Sequence, residues 1–173
     1  MPGFEAMPET EDDRWMRHAL VEAGSALKKG EVPVGAVVVY EDKIIGRGHN
    51  QVEGLSDPTA HAEIIAIGAA STYLNSWRLS GASLYVTLEP CAMCAGALVL
   101  SRIDRLVFGP KDPKAGACGS LYNIVQDIRL NHQVEIVPYI LEKECSQILQ
   151  AFFEKLRKKS LEGKKGNTSG NTG

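Results

Sequence analysis

Two short clusters in this 173-residue chain carry side chains that together could do chemistry: His61-Ala62-Glu63 and Pro90-Cys91-Ala92-Met93-Cys94, whose Cys91 comes twenty-eight residues after Glu63. One imidazole and two thiolates suit Zn²⁺. Three protein ligands on a tetrahedral ion leave one position for water, which is the layout of a catalytic rather than a structural site. Both clusters fall at junctions that open helices, where free backbone N–H groups and the helix dipole favour negative charge. That lowers a thiol's pKa and helps Cys91 and Cys94 bind metal as thiolates. Two thiolates already cancel the charge of Zn²⁺, so this ion should acidify its water less than one held by three imidazoles, and a nearby base becomes useful. Glu63, two residues from a ligand and not itself one, is that base: it can take a proton from the attacking water and deliver it to a leaving nitrogen. Water attack with ammonia as leaving group is deamination, and these residues predict it.

The other two cysteines set the alternative, a closed four-ligand structural site. Cys145 falls on the apolar stripe of a helix and reads as a small core residue. Cys118, in a Gly-rich loop, stays open by spacing alone. His18, His49 and His132 read as packing or surface residues.

The elements that must position the clusters follow from hydrophobic spacing. Thr10, then Glu11, Asp12 and Asp13, form an N-cap with acids in the first turn, and Met16, Leu20, Ala23 and Leu27 recur at helical spacing until Gly30. Gly35–Tyr40 is rich in Val, and Glu41-Asp42 separates it from Lys43–His49, which predicts a hairpin. A second helix is expected over about 60–75, a strand over 84–88, a third helix over 91–100 and a strand over 103–108. Residues 111–120, with Pro113, Gly116 and Gly119, read as an ordered loop. A last strand over 134–137 leads to a helix over about 142–158 whose stripe is Cys145, Ile148, Leu149, Phe152 and Leu156. Helices alternating with strands argue for an α/β layer fold.

A hydrophobic content of 44% in a chain of this length predicts one compact domain, here residues 1–162. Residues 163–173 contain no apolar side chain and predict a disordered tail. A net charge of −2 excludes a chain that is basic throughout, and the longest apolar runs, 32–40 and 91–100, fall short of the ~18 residues a membrane span needs. The acidic N-terminus shows no export signal, so the cytoplasm is the expected location. Four cysteines are too few for a disulfide scaffold. Locally, Lys155, Arg157, Lys158 and Lys159 form a basic end suited to phosphates. Phe152 reads as core, whereas Phe153 lies about 80° round the helix from Cys145, at the stripe's edge, where it could stack on an unpaired base.

Over roughly residues 10–160 the sequence closely resembles the bacterial tRNA-specific adenosine deaminases of the cytidine-deaminase-like superfamily. The resemblance runs through Val32-Pro33-Val34-Gly35-Ala36, Gly48-His49-Asn50, Asp57-Pro58-Thr59-Ala60-His61-Ala62-Glu63, Leu84-Tyr85-Val86-Thr87-Leu88-Glu89-Pro90-Cys91 and Ala115-Gly116-Ala117-Cys118-Gly119-Ser120-Leu121. It implies a three-layer α/β/α sandwich with a mixed sheet of about five strands, and a homodimer with active sites near the subunit interface. One Zn²⁺ per chain would be held by His61, Cys91 and Cys94, with Glu63 shuttling protons. Asn50 would hydrogen-bond a flipped-out nucleoside, Asp112 would lie near the RNA backbone, and Phe152-Phe153 match an aromatic pair. The implied reaction is conversion of adenosine to inosine at the wobble position of a tRNA anticodon stem-loop, chiefly of an arginine tRNA. The zinc motif alone is shared with cytidine, deoxycytidylate and guanine deaminases, so it sets the reaction and not the substrate. Two competitors therefore stand: a small-molecule deaminase acting on guanine or cytidine, and a zinc-stapled RNA-binding protein with a fourth protein ligand.

Overall fold

Along each central strand apolar side chains alternate between two directions, because successive residues of a strand point to opposite faces. Ala36, Val38, Leu84, Val86, Leu106 and Phe108 gather in one buried cluster, and Val37, Val39, Tyr85 and Val107 in another. Both faces must therefore be covered. The computed structural model describes residues 7–166 and shows how. Strands β1 (Gly35–Tyr40), β2 (Lys43–His49), β3 (Ser83–Val86), β4 (Arg105–Phe108) and β5 (Glu135–Val137) form one sheet in the order β2-β1-β3-β4-β5. β1 is antiparallel to β2 and β3, whereas β3, β4 and β5 run parallel. Helices α3 (Ala62–Leu74) and α4 (Ala92–Ser101) cover the first face, and α1 (Glu11–Lys28) with the start of α5 (Glu142–Gly166) covers the second. The architecture is the expected three-layer α/β/α sandwich on a mixed five-stranded sheet.

Local chemistry explains the first helix. Thr10 caps it by accepting from the Asp13 amide at 3.1 Å, while the Thr10 amide donates to the Asp13 carboxylate at 2.9 Å. In the same first turn, Asp12 accepts two guanidinium hydrogen bonds from Arg105 at 2.7 Å each and one from the Tyr85 hydroxyl at 2.8 Å. These contacts pin α1 to β3 and β4, and the Arg105 guanidinium holds the Asp12 carboxyl below its ordinary range.

On the opposite face α3 lies directly against β2, because Gly46 and Gly48 carry no side chain there. A Cβ on Gly48 would stand 2.2 Å from the Ala62 carbonyl oxygen, and one on Gly46 2.2 Å from that of Ala66. Two short elements have no counterpart in the sequence reading: α2 (Val52–Leu55) and a 3-10 turn at Ile124–Gln126. A single turn is too short to show a period. The last helix corrects an expectation in the other direction. It continues past 158 to Gly166, so residues 163–166 of the expected tail are helical, and residues 167–173 lie outside the described residues. Once nucleated, a helix adds one hydrogen bond per residue ordered, and Lys, Leu and Glu propagate it well. No helix among the described residues is long and apolar enough to cross a membrane.

Gly48→Ala should lower stability by about 1–3 kcal/mol, the usual cost of forcing a methyl into a filled contact. The check is the urea midpoint at unchanged slope; a parent-like midpoint would show that α3 can retreat from β2 without loss.

Candidate active site

Helices α3 and α4 both begin at the end of the sheet where parallel strands β3 and β4 finish, the usual site of a ligand crevice in α/β folds. His61 is the N-cap of α3 and Cys91 the N-cap of α4, and neither side chain caps its own helix. Both are thus free to face one another. The His61 Nδ1 atom lies 3.6 Å from the Cys91 sulfur and 3.6 Å from the Cys94 sulfur, and the three potential ligand atoms lie within 4.8 Å of one another. A tetrahedral ion with nitrogen at ~2.1 Å and sulfur at ~2.3 Å separates those atoms by about 3.6 Å, so the spacing fits zinc. Hydrogen bonds from Cys94 and His61 lower the Cys91 pKa to about 3, and the same contact with Cys91 pushes the Cys94 thiol up. These contacts favour the thiolate form of Cys91.

Glu63, in the first turn of α3, is 4% exposed and faces the same cleft. Burial raises its pKa, because a dry site penalises the charged form. The cleft has a volume of about 530 Å³ and is bordered also by Asn50 and Asp112. Asn50 donates from Nδ2 to the Val32 carbonyl at 3.4 Å, while its Oδ1 is buried with no hydrogen-bond partner. Asp112 turns its Oδ1 onto the amides of Lys114 (2.9 Å) and Ala115 (3.3 Å), which shapes the loop after β4. Five of the residues expected from the sequence to act together, His61, Glu63, Asn50, Cys91 and Asp112, thus border one cleft, and Cys94 closes the metal group from beneath.

Comparisons with known proteins place the whole chain. The profile of the MafB19-like deaminases matches residues 10–157. The tRNA-specific adenosine deaminase of Bacillus subtilis is 52% identical over 156 residues, covering 90% of this chain and 97% of that protein. The enzyme of the same name from Aquifex aeolicus is 52% identical over 143 residues, covering 83% and 94%. The chain belongs to the tRNA-specific adenosine deaminases. A solved structure from a study of A-to-I editing by tRNA:A34 deaminases at the wobble position matches with a TM-score of 0.76 at 45% identity, over 79% of this chain and 99% of that one.

Two readings left open or placed otherwise by the deaminase's sequence are resolved by packing. The Cys118 thiol is 2% exposed within the core cluster, points at the Pro90 carbonyl 3.9 Å away, and stands outside the only metal-binding group among the described residues. Burial pushes the Cys118 pKa up, and it pushes that of Cys145 up to about 12. The aromatic pair of α5 needs a correction. Phe152, expected in the core, borders the cleft together with Leu156, whereas Phe153 is 43% exposed and does not line it. Phe152 lies within about 20° of Cys145 on the helix but two turns further along, where that face has passed the sheet and overlies the cleft. His49 meets Glu22 at 3.6 Å and Lys29 at 3.1 Å, and His132 contacts the Ile103 carbonyl at 2.6 Å, so both serve packing.

Sequence reasoning did not single out two buried carboxylates at this cleft, Glu31 and Glu89, each 2% exposed. Glu31 accepts from the amides of Glu53 at 3.2 Å and Gly54 at 2.7 Å, serving α2 in place of a cap, since Gln51 supplies none. It thereby steadies the segment between Asn50 and His61. The available signal was an acid set directly against an apolar run, Glu31 before Val32 and Glu89 after Leu88.

Cys118→Ala should keep one metal ion per chain, whereas Cys91→Ala should lose it, because only the latter contributes a ligand. Metal analysis after dialysis checks this; loss of the ion from Cys118→Ala would move the site to the structural class.

Proposed function

We propose that this deaminase hydrolyses the 6-amino group of adenosine at the wobble position of a tRNA anticodon, arginine tRNA foremost, giving inosine and ammonia. One arrangement carries the reading: His61, Cys91 and Cys94 grouped for a metal, with buried Glu63 in the same cleft. Bound by those three residues, Zn²⁺ supplies a Lewis acid that polarises the attacking water. Glu63 accepts a proton from that water as a carboxylate and, once protonated, gives it to the departing amine, so one residue acts as base and then acid. Its burial supports the second half of this cycle, because a dry carboxyl holds its proton until a basic nitrogen takes it. Asn50 Oδ1, the acceptor without a partner, takes a donor of the nucleoside. A base must leave its stack to enter such a cleft, which costs least in an unpaired loop.

The surroundings suit RNA. Lys155, Arg157, Lys158 and Lys159 are exposed on α5 just beyond the cleft-lining Phe152 and offer positive charge to phosphates. Exposed Phe153 beside them offers a stacking surface to a flanking base, and Asp112 at the cleft's rim meets the RNA backbone. With tRNA as its substrate the enzyme works in the cytoplasm.

The functional unit in this reading is a homodimer. α3 and α4 contain no charged residue except Glu63, although each has only one face on the sheet. A helix apolar on all sides is normally covered on all sides. Tyr73 and Leu100, on the outer side of this layer, are 63% and 71% exposed in the single chain. Light scattering should give about twice the chain mass of 18.7 kDa; a monomer at micromolar concentration would refute the pairing.

Glu63→Gln should bind zinc and an anticodon stem-loop like the parent yet lose activity by at least ~10²–10⁴-fold, since the amide keeps the shape and cannot accept the proton. Inosine released from the stem-loop, compared with free nucleosides, is the measurement. Near-parent turnover would remove Glu63 from the chemistry, and deamination confined to free guanine or cytidine would replace tRNA by a small molecule.

A further inference from the structure

The loop after β4, residues 111–120, has no helix or strand of its own, yet it forms the wall of the cleft that carries Asp112 and Ala115. What holds it is Glu89, the residue two before Cys91. Its Oε2 accepts from the Asp112 amide at 2.8 Å and the Ser120 hydroxyl at 2.5 Å, and its Oε1 from the amides of Cys118 at 3.1 Å and Ser120 at 3.0 Å. A carboxylate this buried persists only if its lone pairs are filled, and here the loop backbone fills them. The loop is pressed onto it: a Cβ on Gly116 would stand 2.2 Å from Oε2. The Ala117 amide also donates to the Pro90 carbonyl at 2.9 Å, so loop and ligand segment move as one piece.

We propose that Glu89 is a positioning residue for the RNA substrate: by binding the Asp112, Cys118 and Ser120 amides it fixes the 111–120 loop, and with it Asp112, against the Cys91 side of the cleft. The inference rests on the tRNA deaminase reading above. It separates Glu89 from the chemistry, because every polar contact its carboxylate makes is to the loop and none is to the metal group.

Glu89→Gln tests it selectively. The amide oxygen can still serve the Cys118 and Ser120 amides, and the Ser120 hydroxyl can rotate to accept, but the new NH₂ faces the Asp112 N–H, donor against donor. In the zinc-loaded protein the Asp112 amide should exchange its hydrogen about tenfold faster or more, and KM for a wobble-adenosine stem-loop should rise about tenfold with kcat within about threefold. Zinc content should stay at one per chain. If Glu89 acts through Asp112, Glu89→Gln should add no further KM effect to Asp112→Ala. Gly116→Ala, whose methyl displaces the same carboxylate, should give the same KM rise and covers the case in which Glu89→Gln does not fold. Parent-like exchange at Asp112, effects that multiply in the double variant, or a fall in kcat with loss of zinc would each overturn the proposal. A parent protein inactive on the stem-loop sinks the tRNA reading instead, and exchange at Asp112 then still decides whether Glu89 fixes the loop.

Discussion

Everything at this site depends on two helix N-termini meeting on one face of a sheet. An imidazole and two thiols separated by thirty residues of chain can share an ion only if α3 and α4 start within a few ångströms of one another. Gly46 and Gly48 let α3 settle directly on β2, and the parallel β3–β4 pair sets where the intervening α4 must begin. Because His61 and Cys91 are N-caps that do not cap, their side chains stay available while the helix dipoles favour the thiolate that a cation needs. Fold and ligand chemistry are here the same constraint.

Three buried carboxylates divide the work around the cleft. Burial raises the pKa of Glu63, and its contacts with its own backbone amide and with the Cys94 side chain offset this only in part. Glu31 and Glu89 are just as dry, yet their oxygens are filled by the amides of α2 and of the 111–120 loop, and they act as fixed anchors. The same functional group is thus placed for different work according to how many amides of a neighbouring segment hold it. Phe152 and Leu156 of α5 add an apolar stretch to the cleft, and beyond it Phe153 and Leu161 are 43% and 61% exposed.

The sequence by itself determined what neighbouring residues can settle. The Thr10 N-cap with its acidic first turn starts α1, Gly and Val mark the hairpin, and the His-x-Glu and Pro-Cys-x-x-Cys spacings point to a metal group with a base beside it, because each is a property of a few consecutive residues. Only the tertiary structure decided what depends on which turn of one element lies over another. Helical phase placed Phe152 with Cys145, but it could not tell that two turns along that side overlies a cleft. A Gly-rich loop left Cys118 free to be a ligand until its backbone was tied to Glu89 and its thiol turned to Pro90. Glu31 and Glu89 serve partners more than twenty residues away, and no local period encodes such a distance. Spacing along the chain specifies chemistry within one element, whereas contacts between elements depend on packing that no single segment contains.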